Sequence, residues 1–269
     1  MKANIYWFEL RRKRNSLLIW SASIALVALL YMGLFPTFAD YAAVLQETLK
    51  RLPPEYLEAF GMAGVDLSSV TGYYSFVFTF LQILLALQAS NYGFGLIAVE
   101  EGQMISDFLV SKPVTRAQIL TSKLLAAFTA LTLTNAVAWA SSFIFVEMFR
   151  EGRPYDAHPM VLMLGSIAIF QVVFLSLGLA FSLLVRRVRS VAPYGLMLSF
   201  GAYVLNAFGD LLGDVKLELI TPFRHFDPTY IVRNNAYDMP LVGLSVAMIG
   251  ISLAFSYWRY IRHDIPAVV

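Results

Sequence analysis

Twenty consecutive residues, Ser16 to Phe35 (SLLIWSASIALVALLYMGLF), contain no aspartate, glutamate, lysine, arginine or histidine. At a helical rise of about 1.5 Å per residue such a run is roughly 30 Å long, the thickness of a bilayer's hydrocarbon layer. A backbone in that layer must satisfy its own hydrogen bonds, so the run reads as a helix. Comparable apolar stretches cover approximately residues 73–99, 124–146, 161–185, 191–208 and 241–258, which makes six. The chain has 269 residues, 58% hydrophobic and 14% charged, a balance well outside the soluble range. The sequence predicts an all-α integral membrane protein of six transmembrane helices, a single domain over residues 1–269 with no length left for a separate soluble one. No small-residue cleavage signature follows the first stretch, so it is expected to be retained and the mature chain to begin at Met1.

Six spans divide the connectors into two alternating sets, and the basic residues fall unevenly between them. One set holds Lys2, Arg11, Arg12, Lys13, Arg14, Lys112, Arg116, Lys123, Arg186, Arg187, Arg189, Arg259 and Arg262, thirteen in all; the other, longer in residues, holds seven. The positive-inside rule assigns the richer set and both termini to the cytoplasm, which predicts a multi-pass protein of the cell's inner (cytoplasmic) membrane. Acidic residues such as Asp40, Glu47, Glu147 and Asp156 fall in the other set. Cysteine is absent, which excludes disulfides and thiolate metal sites.

The connectors carry their own patterns. Ala42, Leu45, Leu49 and Leu52 recur at helical spacing, and Pro54 is placed to start a second short helix ending near Gly61. Both read as amphipathic helices at the outer interface. The outer loop 210–240, with its Thr221-Pro222-Phe223-Arg224-His225-Phe226-Asp227-Pro228 run, reads as a folded or partly re-entrant element. On the cytoplasmic side, the segment 100–123 places Ile105, Phe108 and Leu109 on one face of a short helix ahead of Pro113. Pro113 restricts Lys112 to extended geometry, and Thr115 can cap a new helix that runs through Gln118 and Lys123. Physics alone leaves two readings of this segment open, a solvated loop with caps and a docking surface for a cytoplasmic partner.

Chemistry-bearing residues are sparse. Ion-driven transporters usually need ionisable groups inside their spans, and the six apolar stretches hold none, so an energy source outside the chain is expected. No Gly-x-x-x-x-Gly-Lys-Ser/Thr phosphate loop is present. His158, His225 and His263 are far apart and fall in connectors, giving neither a metal pair nor an intramembrane base. Ser199 in GLMLSFG is not a nucleophile elbow, and Gly209-Asp210 lacks the second embedded aspartate of an aspartyl protease. No catalytic or metal-binding residue is expected. Uncharged polar residues do form stripes: Ser75, Thr79 and Gln82 on the second span, Ser199, Tyr203 and Asn206 on the fifth. Such a stripe either lines a path or hydrogen-bonds neighbouring helices, as Asn135, Trp139 and Gln171 are expected to do. Gly243, Ala247, Gly250 and Ala254 make a small-residue face on the sixth span, expected to pack closely against another helix.

The pattern Glu100-Glu101-Gly102, Asp107-Phe108-Leu109, Ser111-Lys112-Pro113-Val114-Thr115-Arg116, then Ile119 and Lys123, resembles the cytoplasmic connector of ATP-binding-cassette (ABC) transporter permeases of the second, exporter type. Phe8-Glu9-Leu10-Arg11, Pro222-Phe223 through Phe226-Asp227-Pro228, and Arg262-His263-Asp264-Ile265 agree in order and spacing. The resemblance implies a permease dimer, with itself or with a sister permease, and two separate ATPase subunits bound from the cytoplasm. ATP and Mg would be held by those subunits, with no cofactor in this chain. It makes 100–123 the coupling segment, with Phe108 and Leu109 packed into the ATPase and Glu100, Glu101, Asp107, Lys112 and Arg116 as orienting charges. It further implies that spans two and five border the pathway, and that Ile5 to Arg14 is an elbow helix along the membrane with Trp7 and Phe8 toward lipid. That basic run equally serves as an orientation signal and attracts anionic lipid. The main alternative is a non-transporting scaffold that passes force or signal from the ATPase to an extracytoplasmic partner; a third is an ATPase-independent membrane enzyme. An uncharged, aromatic-rich interior leans toward amphipathic peptides, drugs or lipids as substrate. Nucleic-acid binding has no support beyond the basic N-terminus, which membrane orientation already explains.

Overall fold

The structure, a computed structural model, describes residues 3–49, 51, 53, 57, 62, 65–102, 115–185, 190–207 and 219–262. Helices account for its regular structure: α1 (Ala3–Gly33), α2 (Phe35–Asp40), α3 (Ala42–Leu49), α4 (Val70–Gly102), α5 (Arg116–Phe149), α6 (Ala157–Ser182), α7 (Val191–Ala207), α8 (Pro222–His225), α9 (Pro228–Asn234) and α10 (Met239–Arg262). Among the described residues no strand occurs. The segment Ala3–Asp40, α4, α5, α6 and α10 are long and apolar enough to cross a membrane, and α7 is a shorter apolar helix. These are the six elements that hydropathy marks.

The helices overrun the apolar stretches because caps set their ends. α5 begins at Arg116, eight residues before the stretch expected at 124–146, since Thr115 and Gln118 form a capping box there. The Thr115 hydroxyl accepts from Gln118 N–H at 3.3 Å, and the Gln118 amide oxygen accepts from Thr115 N–H at 3.4 Å. At the start of α6 the Asp156 carboxylate accepts from His158 N–H at 2.9 Å.

α4 and α6 form the buried core pair, with α1 packed along α5, α7 against α4 and α10 against α6. Their backbones nearly touch where Gly93 meets Gly178. A Cβ on Gly178 would lie 2.9 Å from the Ser90 carbonyl, and one on Gly93 would collide with the Leu175 carbonyl. Outward-facing Leu18, Leu30, Phe128, Ile144, Met197, Phe200 and Ile251 are exposed, as lipid-facing side chains are.

Contacts show which helix ends lie together. Lys123 near the start of α5 reaches Leu96 near the end of α4 and Glu9 near the start of α1. Thr121 hydrogen-bonds Tyr257 near the end of α10 at 2.7 Å. At the opposite end the Tyr73 hydroxyl donates to the Tyr31 carbonyl at 2.7 Å, and Thr71 meets Asp156. The start of α1 and the end of α10 therefore share one end of the bundle, as an even number of crossings requires.

Three expectations need correction or completion. Ile5 to Arg14 is not set off as an elbow, because α1 runs unbroken from Ala3 to Gly33 and turns Glu9 and Lys13 into the bundle while Trp7 and Phe8 stay exposed. The small-residue face of α10 makes no close packing within the chain: Gly243, Ala247, Gly250 and Ala254 are exposed, and the helix packs through Ser245, Ser252 and Ser256. α3 occupies the first outer connector, while the helix expected from Pro54 to near Gly61 lies outside the described residues except for Leu57.

Candidate functional site

The described residues frame the expected coupling segment without covering it. Asp107, Phe108, Leu109 and Lys112 lie outside them, as do the side chains of Glu100 and Glu101, whose backbones belong to the last turn of α4. Arg116 is the first residue of α5 and is partly buried. The segment thus leaves one end of the bundle from α4 and re-enters it through the capped start of α5.

The two polar stripes lie on packed neighbours, α4 and α7, but mostly satisfy their own surroundings. Ser75 donates to the Gly72 carbonyl at 2.7 Å, Thr79 to Ser75 at 3.3 Å and Ser199 to Gly195 at 2.7 Å, all within their own helices. Gln82 donates across the bundle to the Phe226 carbonyl at 2.8 Å. Tyr203 is half-buried with its ring 5.6 Å from that of Phe223, and Asn206 is half-buried. Of these groups Gln82 and Tyr203 reach another element, the three hydroxyls of Ser75, Thr79 and Ser199 stay on their own helices, and none of the hydrogen bonds named here joins the α4 stripe to the α7 stripe.

Near the middle of the bundle a buried amide network ties three helices. The Gln88 amide donates to Thr134 on α5 at 2.9 Å, and Gln171 on α6 donates to the Gln88 oxygen at 3.3 Å and the Leu85 carbonyl at 3.2 Å. Trp139 donates to the Leu164 carbonyl at 3.1 Å, an internal contact as its sequence position implied.

The outer loop enters the bundle. Phe223 and Phe226 are buried, with Phe223 5.1 Å and Phe226 6.2 Å from the Phe170 ring between centroids. Phe170 lies thirteen residues past the start of α6, a depth of about 20 Å at the helical rise, so α8 reaches mid-bundle. Pro222 and Pro228 start α8 and α9 where a missing N–H costs nothing. This entry also buries His225, whose Nδ1 lies 2.7 Å from the Ser245 hydroxyl on α10. His225 is therefore an interior residue rather than a group of an exposed connector.

The same correction applies to charge. Glu9, Lys13 and Lys123, in the polar flanks of the apolar stretches, are buried together at the end of the bundle where α4 ends and α5 begins. Lys123 Nζ donates to the Leu96 carbonyl at 2.9 Å and lies 3.9 Å from Glu9 Oε1. Arg12 Nη2 lies 2.8 Å from Glu9 Oε2, and Lys13 Nζ sits 4.4 Å from the centre of the Tyr92 ring. Counting lysines and arginines by side treats these groups as solvated. The overlooked signal is Glu9 itself, an acid at i, i+4 to Lys13 in a basic run.

Apolar outer faces and several helices long enough to cross a bilayer define a multi-pass helical membrane protein. Residues 3–265 match the family described as ABC-2 family transporter protein, and the chain belongs to that family. It is a family of membrane components of ABC transporters. The uncharacterized transmembrane protein YxlG of Bacillus subtilis (strain 168) is 23% identical over 173 residues, which cover 63% of this chain and 65% of that relative.

Proposed function

We propose that this chain is the membrane-spanning permease subunit of an ATP-driven exporter, working as a dimer and driven by two separate ATPase subunits that dock on residues 100–123. The observation that carries the reading is the family match over residues 3–265. The bundle supports it: the polar segment links the ends of two long helices, α4 and α5, at the end shared by both terminal helices. The excess of basic residues in the connectors assigned to that end supports reading it as the cytoplasmic one. Phe108 and Leu109 fill a groove of the ATPase, and Glu100, Glu101, Asp107, Lys112 and Arg116 orient it. ATP and Mg belong to the partner. Ser75, Thr79, Gln82, Ser199, Tyr203 and Asn206 border the pathway through the helices that carry them.

The test is affinity purification of the tagged chain from gently solubilised membranes beside a Phe108→Ala, Leu109→Ala variant of matched folding. Recovery of a P-loop ATPase with the native chain and its loss with the variant is expected. A well-folded native chain that brings down no ATPase under any nucleotide condition defeats the proposal. ATP hydrolysis without substrate accumulation in vesicles moves the assignment to a force-transmitting scaffold.

A further inference from the structure

We infer that the buried Glu9–Lys123 pair is a joint that passes displacement of the 100–123 segment into α1; this rests on the permease reading. Lys123 lies eight residues into α5 from its Thr115 cap, and Leu96 lies six residues before the end of α4. Those are the two helix ends that residues 103–114 connect. A single ammonium group, bonded to the Leu96 carbonyl and 3.9 Å from Glu9, therefore touches both flanks of the segment and α1 at once. Lys13 over Tyr92 adds a second contact between α1 and α4, while Arg12, on α1 itself, holds the other oxygen of Glu9.

Stability does not account for this arrangement. Taking a carboxylate and an ammonium out of water costs more than their attraction commonly returns, and an apolar pair of the same shape is often neutral or stabilising. What the charges supply is direction, one donor group on α5 fixed toward two other helices. The elements they join also differ in how firmly they are held. α4 is locked to α6 at Gly93 and Gly178, whereas α1 is largely lipid-facing and packs mainly along α5. A shift at the base of α5 relative to the fixed α4 is thus applied to a helix of 31 residues held mainly by α5. The polar contact of Tyr6 with Thr129 at 3.0 Å carries the motion further along α5.

The experiment uses the complex of this chain with the P-loop ATPase that co-purifies with it, reconstituted in nanodiscs. Variants are Glu9→Gln with Lys123→Met, which keeps the volumes and removes the charges, and the swap Glu9→Lys with Lys123→Glu. The uncharged double variant is expected to melt close to native and, because the Lys123 side chain is only 3% exposed and so offers no surface for docking, to recover the ATPase in native amount. Its permease-dependent change in ATP hydrolysis is expected to fall about tenfold, the size of a typical coupling between sites, with partial return in the swap. The chain has no cysteine, so spin labels at Trp7→Cys and Leu125→Cys, both exposed in the native fold, report the α1–α5 distance directly. ATP is expected to shift that distance in the native background and not in the uncharged variant. Native modulation or a native ATP-dependent shift in the uncharged variant overturns the joint. Loss of ATPase recovery in that variant alone assigns the pair to docking and also overturns it. No ATPase with the native chain removes the permease reading itself and the joint with it.

Discussion

The two ends of this bundle are fastened by different chemistry. At the end where α4 and α6 begin, neutral donors hold carbonyls: Tyr73 on Tyr31 at 2.7 Å, Tyr237 on Leu162 at 2.7 Å and Trp139 on Leu164 at 3.1 Å. The ion pairs there, Arg150 with Glu147 and Arg153 with Asp40, lie toward the water, with carboxylates 60% and 64% exposed. At the other end Glu9 and Lys123 are 4% and 3% exposed by side chain. The same pairing of carboxylate and cation is therefore a screened surface contact at one end and a desolvated interior contact at the other. Neutral bonds need no compensation for a buried charge and suit a part that stays put. Buried charges tolerate the loss of a partner poorly, which makes position at that end sharply specified.

The strongest way to break the contrast is to remove one carboxylate from each end. Glu9→Ala leaves Lys123 and Lys13 buried without it, and a stability loss of about 3–5 kcal/mol is expected in detergent-solubilised thermal unfolding. Asp40→Ala is expected to cost under about 1 kcal/mol in the same measurement. Equal losses would show that burial does not separate the two ends. Next in size is Phe226→Ala between α8 and α9, expected to cost about 3 kcal/mol because Phe226 is fully packed against Phe170 and Tyr237. A smaller loss would show that the loop follows the bundle without bracing it. Tyr73→Phe removes only the hydroxyl on Tyr31 and is expected to cost about 1 kcal/mol, which would confirm that the neutral fastening is a sum of modest bonds.

Legibility in the sequence follows the same division. The helical spans were readable because each apolar run is long enough to declare itself, and the Thr115–Gln118 cap was readable because both partners lie within one turn. The burial of Glu9, Lys13 and Lys123 was not, since helices running past their apolar windows carry flanking charges inward, and Glu9 and Lys123 are far apart in sequence. His225 was hidden for a similar reason: only the entry of α8 between helices brings it to Ser245. The stripes were correctly placed on helix faces, but spacing does not reveal that Ser75, Thr79 and Ser199 would bond their own backbones. The orienting residues of 100–123 rest on resemblance, because a short polar segment has no packing partner within its own sequence to define it.

A similarly small effect sharpens the comparison most locally, because one device is used at both ends. Thr115 caps α5 just after residues 103–114, and Asp156 caps α6 at the far end. Replacing either by alanine frees backbone donors of a first helical turn and is expected to cost about 1 kcal/mol. The consequences should nevertheless differ. Asp156 also receives support next door, where Thr71 meets its backbone at 3.2 Å and anchors the start of α6 to the start of α4. Thr115 has only Gln118 in its box, and its helix begins where the chain returns from residues 103–114. Hydrogen exchange in nanodiscs should therefore accelerate at the amides of Ala117 to Ile119 in Thr115→Ala more than at those of His158 and Met160 in Asp156→Ala. Faster exchange at the Asp156 end would place the more easily loosened turn away from the charged joint and undo the functional reading of the contrast.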